Sequence, residues 1–136
     1  METLASWAAL MLRLGGGVIF VGHGFPKLLR EEKKPEVGRT RLVGAIGKLG
    51  FPYPILWAYA VAAVEFVGGL LLVAGLFTPW VASILAIVML LATYWMQKTI
   101  GFCMGSDFSF ALLFMMIALI FLGDGRFSLG SRLGLE

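Results

Sequence analysis

Charge is scarce in this chain: only 14% of its 136 residues are Asp, Glu, Lys or Arg, whereas 60% are hydrophobic. A water-soluble domain of this length leaves roughly a third of its surface exposed and needs polar groups to cover it. With a mean hydropathy of +0.92, most of this chain requires an apolar solvent. Cysteine and histidine occur once each. The lone Cys103 excludes an intrachain disulfide and any dithiol motif. Nothing basic beside it in sequence activates it strongly, so an inert thiol or an interfacial residue is expected. The lone His23 excludes a multi-histidine metal or haem site within one chain, and no metal ligand set is expected. Features of a cleavable leader are also missing: no basic residue precedes the first apolar run, whose first cation, Arg13, lies well inside it. No small-residue cleavage site follows, and the run is expected to remain as a membrane helix. The net charge of +3 does not indicate nucleic acid, because most of the basic residues gather in one loop between apolar segments, as charges flanking a membrane do.

What the chain does have is four long apolar runs, at about 5–24, 53–76, 79–96 and 108–122. Each approaches the roughly 17–25 residues that carry a helix across the hydrocarbon, the fourth being short. Lipid offers backbone groups no hydrogen-bond partners, so the spans must be helical. Short connections after spans two and three make consecutive spans antiparallel. The expected fold is therefore all-α: one transmembrane domain over residues 1–136, an antiparallel four-helix bundle. Thr78 and Pro79 suit the start of span three, as a capping hydroxyl followed by a proline. In the loop 25–52, residues 30–36 are highly charged. Leu42, Ile46 and Leu49 then share one helical face flanked by Arg41 and Lys48, predicting a short interfacial helix. This loop carries Lys27, Arg30, Lys33, Lys34, Arg39, Arg41 and Lys48, and Lys98 lies on the same side. Only Arg126 and Arg132 follow span four. Both loops are thus expected in the cytoplasm and both termini outside.

Charges inside spans are costly and mark function or a buried pair. Here they are Arg13 and Glu65. At 100° per residue Arg13 shares a sector with Gly16, Gly17, Phe20, His23, Gly24 and Lys27, and Glu65 shares one with Ala58, Ala62, Gly68, Gly69 and Leu72. Both lie on small-residue stripes, where membrane helices approach closely. Counted from Gly24 and from Tyr53, both sit roughly 16–18 Å deep, and an Arg13–Glu65 contact is expected. Two readings are open: a staple that fixes helix register, or a polar patch for a ligand head group, a quinone or a proton. A second group, His23, Lys27, Gln97 and Ser109, is expected at the mouth of a cavity at the cytoplasmic end, near Tyr94, Asp107 and Cys103. Tyr94, Trp95 and Lys98 suit interfacial anchoring. Met89, Met96, Met104, Met115 and Met116 are expected in packing rather than haem ligation. Gly15-Gly16-Gly17 lies in an apolar helix and is no phosphate loop.

Several stretches carry a family resemblance. They are Arg13-Leu14-Gly15 through His23-Gly24-Phe25-Pro26-Lys27-Leu28, then Val64-Glu65-Phe66-Val67-Gly68-Gly69-Leu70, then Gly75-Leu76-Phe77-Thr78, and Gly123-Asp124-Gly125-Arg126-Phe127-Ser128-Leu129. In this order and spacing the chain resembles the DoxX family of small bacterial and archaeal membrane proteins over almost its full length. The resemblance implies a four-helix membrane fold, a cell (inner) membrane location and association with redox chemistry; relatives include the membrane subunit of a thiosulfate:quinone oxidoreductase. By position, Arg13, His23, Lys27 and Glu65 are the shared polar residues. Gln97 stands where many relatives have histidine, and Ser109 where many have glutamate, which weakens independent redox catalysis.

The function expected from the resemblance and the midplane charges is a quinone-linked, redox-associated membrane subunit. No flavin, haem, iron–sulfur or dithiol motif is encoded, so electrons require a partner protein or a diffusible quinone, and catalytic residues stay unassigned. Two alternatives stand beside it: a non-enzymatic protein holding a lipid or other apolar molecule, and a structural subunit of a membrane complex or oligomer.

Overall fold

The computed structural model describes residues 2–29, 38–99, 101 and 105–134. Six helices follow one another: α1 (Glu2–Leu29), α2 (Gly38–Lys48), α3 (Pro54–Ala74), α4 (Thr78–Thr99), α5 (Ser106–Leu122) and α6 (Leu129–Leu133). Among the described residues there is no strand. The charged stretch 30–36, Cys103, Met104 and the last two residues lie outside the described part. Three helices, α1, α3 and α4, are long and apolar enough to cross a membrane. The 17-residue α5 spans about 25 Å, slightly less than the hydrocarbon core of roughly 30 Å. Large apolar side chains such as Val18, Tyr53, Trp80 and Phe121 point outward. That outward apolar surface is the signature of a protein solvated by lipid tails, and the chain is an integral membrane helical bundle.

The four long helices alternate in direction, and the contacts give the order α1, α3, α4, α5 around the bundle. On α1, a Cβ at Gly17 would fall 2.7 Å from the Gly69 carbonyl, and one at Gly24 would fall 2.8 Å from the Ala62 carbonyl. Seven residues forward on α1 are thus seven residues back on α3. Only glycine allows that backbone-to-backbone approach, so these contacts fix the α1–α3 register. Gly68 lies under Leu85, joining α3 to α4. The Thr93 hydroxyl donates to Ser109 at 3.1 Å, joining α4 to α5, and Gly16 lies against Met115 and Met116, returning α5 to α1. The core is sealed by Phe20, Leu72, Leu85, Met116 and Leu119. The buried residues of α3 are Ala58, Ala62, Glu65, Gly68, Gly69 and Leu72, the sector expected from the wheel.

Helix ends follow local chemistry. Pro54 opens α3, and Gly75, at φ 69°, closes it with its N–H directed to Leu71 and Leu72 carbonyls. The α4 start differs from expectation. Thr78 is the first helical residue rather than the cap, and its buried hydroxyl has no partner among the described residues. The cap comes from elsewhere: Asp124 Oδ1 accepts the Thr78 N–H at 2.7 Å. The interfacial helix α2 exists and buries Ala45 and Ile46. Leu49 falls beyond its end and is exposed, because the helix stops at Lys48 before the left-handed Gly50.

Candidate functional site

Arg13 and Glu65 are both buried, 1% and 4% exposed, but they do not pair with each other. The expected contact is corrected by the register. Equal depth holds only if span one ends at Gly24, whereas α1 continues through Pro26 to Leu29. With Gly24 against Ala62 and Phe66, Glu65 lies level with His23 and Gly24. Arg13 instead lies against Gly75, where a Cβ would overlap its guanidinium. Ten residues of α3 separate the two levels, roughly 15 Å.

Each charge has its own partners. At the end carrying both termini, Arg13 Nη1 donates to the Asp124 carbonyl at 2.7 Å and Nη2 to the Phe127 carbonyl at 3.0 Å. Asp124 turns its carboxylate onto the α4 N-terminus, where the helix dipole favours an anion. The Gly130 N–H donates to the Gly75 carbonyl at 2.9 Å. Trp7 packs on Phe127 with ring centroids 4.6 Å apart, and Ser6 accepts the Arg126 N–H. The segment 123–131 therefore ties the ends of α1, α3 and α4 together. This cluster uses both Arg13 Nη atoms and the Asp124 carboxylate in holding helices, while Arg13 Nε and the Thr78 hydroxyl are buried with no partner among the described residues.

Toward the α2 end, Lys27 Nζ meets Glu65 Oε2 at 2.5 Å, with side chains 16% and 5% exposed. Helical side chains lean toward the N-terminus, so Lys27, in the last turn of α1, reaches back about one turn to the level of Glu65. Its surroundings are ordered by α2: Arg39 donates to the Lys27 carbonyl at 3.2 Å and lies 4.7 Å from the centre of the Tyr59 ring. The Phe25 and Phe66 rings pack on each other between the same two helices, with centroids 5.9 Å apart. One ammonium and one carboxylate, both largely removed from water, supply a hydrogen-bond donor and an acceptor in an apolar bundle.

The other expected cavity residues are placed apart. His23 is exposed, shares a hydrogen bond of 2.9 Å between Nδ1 and the Ile19 carbonyl, and stacks on Phe108 of α5. Ser109 is buried between Thr93 and the Ser106 carbonyl, and Gln97 is exposed at the end of α4. Of the four, only Lys27 joins a buried charged pair. Sequence reasoning missed Asp124, Thr78 and the Phe127 carbonyl as the partners of the Arg13 region. Their signal was the Gly-Asp-Gly motif after span four, whose glycines flank an acid at positive φ.

A DoxX family model matches residues 8–98. The chain belongs to the DoxX family. The matched region contains Arg13, His23, Lys27 and Glu65 and stops short of the Asp124 segment. A DoxX-family relative described as "Putative oxidoreductase CatD", from Bacillus subtilis (strain 168), is 32% identical over 115 residues, covering 85% of this chain and 78% of that protein. No solved structure matches. This DoxX protein thus has a distant relative named for redox chemistry, and a buried Lys–Glu pair inside the region shared with its family.

Proposed function

We propose that this DoxX protein is a quinone-linked membrane subunit in which Lys27 and Glu65 hold the quinone head group. The observation that carries the reading is the Lys27–Glu65 pair, enclosed in an apolar bundle at 2.5 Å. An ammonium in that setting donates a hydrogen bond to a quinone carbonyl, and the carboxylate accepts one from a quinol hydroxyl. Reducing a quinone takes two electrons and two protons; the electrons come from a soluble or membrane redox partner, and this chain binds and positions the acceptor. The oxidoreductase name of the Bacillus relative supports the same direction. In this reading the α2 end faces the cytoplasm, both termini lie outside in the cell (inner) membrane of a bacterium or archaeon, and α5 completes a fourth crossing in locally thinned lipid. The clustering of Lys and Arg at the α2 end supports that orientation.

A second reading is favoured by a groove of about 300 Å³ between α3 and α4, lined by apolar residues that include Val64, Val67, Leu71, Val81, Ile84 and Leu85. Its chemistry suits a lipid tail with no redox role. The deciding experiment purifies the wild type and Glu65→Gln from membranes, extracts both with organic solvent and identifies what is released. The quinone reading expects a quinone from the wild type and its loss from a variant that remains helical. Phospholipid alone from both proteins would establish the second reading. Collapse of the variant with no quinone in the wild type would make the pair a staple.

A further inference from the structure

We propose that the α2 end of the bundle binds anionic phospholipid head groups through Arg41, Lys48 and Lys98, independently of any ligand at Lys27–Glu65. Among the described residues at this end, Lys27 and Glu65 neutralise each other, which leaves Arg39, Arg41, Lys48 and Lys98 against Asp107. The segment 30–37 adds three cations and three anions, hence no net charge. At the opposite end, among the described residues, Arg13, Arg126 and Arg132 stand against Glu2 and Asp124. Among the described residues the α2 end therefore has four remaining cations to one anion, the larger cationic excess of the two ends.

Geometry turns that excess into a lipid surface rather than a general acid-binding one. The cations are set against aromatic rings at helix ends: Arg41 is 6.0 Å from the Trp95 ring centre and Lys98 4.6 Å from that of Tyr94. Tyr94 is about half exposed, and so are Phe51 and Trp57, which pack edge to face at the same end. Aromatic rings with apolar bodies and polar tips occupy the head-group layer, and cations resting on them are held at the depth of the phosphates. The helix α2 lies across this layer, burying Ala45 and Ile46 and carrying Arg41 and Lys48. A basic amphipathic helix beside an aromatic belt is complementary to phosphate monoanions without a compensating ammonium. Each such cation near an anionic surface favours association roughly five-fold.

The test uses the full-length protein with Trp7→Phe and Trp80→Phe, so that Trp57 and Trp95 report on the α2 end alone. It is reconstituted in vesicles containing brominated phosphatidylglycerol or brominated phosphatidylcholine at equal mole fraction, and tryptophan quenching is compared. The expected result is an apparent preference for phosphatidylglycerol of roughly five-fold or more, abolished at about 1 M salt, where the screening length falls to roughly 3 Å. The same preference should disappear in the background of Arg41→Gln, Lys48→Gln and Lys98→Gln. Equal quenching by the two lipids, or a preference that survives high salt or these substitutions, overturns the proposal. Equal quenching together with an acidic protein that copurifies only with the unsubstituted cations overturns it in favour of a protein partner. The comparison of lipids on the unsubstituted cations does not depend on the triple variant folding.

Discussion

Replacing Glu65 with glutamine leaves the Lys27 ammonium in a low-dielectric space without its counter-charge. The pair is close, 2.5 Å, and little hydrated, with side chains 16% and 5% exposed, so solvent screening discounts the loss only slightly. Removing one member of such a pair costs about 3–5 kcal/mol. Removing both, as Lys27→Met with Glu65→Leu, eliminates the buried charge altogether, and apolar replacements of similar volume are neutral to stabilising by about 1–4 kcal/mol. Lys27→Met alone, Glu65→Leu alone and the two together form, with the wild type, a thermodynamic cycle whose coupling is expected to exceed about 3 kcal/mol. Reversible unfolding in mixed micelles, driven by SDS and followed by far-UV circular dichroism, measures all four corners. The reasoning is refuted if each single variant loses less than about 1 kcal/mol and the double variant is their sum, because that is the behaviour of a screened surface pair. The double variant also separates fold from function: it should be folded and yet release no quinone on extraction.

Three further outcomes follow from the same contacts. Arg13→Met should lose about 1.5–3 kcal/mol for each of its two bonds to the Asp124 and Phe127 carbonyls, and Asp124→Ala, which strips the α4 cap, about 0.5–2 kcal/mol, both read by SDS unfolding. Gly24→Ala should destabilise by about 1–3 kcal/mol through overlap with Phe66 and Ala62 of α3, whereas Gly22→Ala, with open space around it, should gain about 0.5–1 kcal/mol; the opposite ranking would disprove the register. Thr93→Val alone should cost about 1 kcal/mol or more by leaving the buried Ser109 hydroxyl short of a partner, and adding Ser109→Ala should recover most of that loss in the same titration.

How much of this was legible in the sequence depended on whether a feature was local. The buried face of α3 was readable from periodicity alone, because small residues and Glu65 recur at helical spacing within one segment. The interfacial helix was readable from Leu42, Ile46 and Arg41, and the helix order from loop length. What failed was the Arg13–Glu65 contact, since it required two helices to be aligned before their contacts were known. Apolarity ends near Gly24, yet helical structure runs on to Leu29; hydropathy records where lipid is tolerated, not where one backbone meets another. Contacts at Gly17 and Gly24 decide the alignment, and single-residue patterns do not specify which opposing atoms those glycines admit. The α4 cap was misassigned for a related reason. Thr78 offered a local hydroxyl, whereas Asp124 arrives from 46 residues away with a full negative charge. Asp124 stands in the Gly-Asp-Gly motif, but only the folded chain gives that carboxylate its address.

The partners of Arg13 lie 111 and 114 positions later in the chain. During synthesis at about 5–20 residues per second, the guanidinium therefore waits on the order of ten seconds before the carbonyls that will receive it emerge. Throughout that interval α1 is an apolar segment with an unmatched cation. Such a segment resides stably in hydrocarbon only if the side chain extends toward the nearer water layer. Its final inward position is reached after α5 has been made. The nascent protein thus passes through a stage with its early helices made and its terminal-end lock still open, because the segment that closes it is synthesised last.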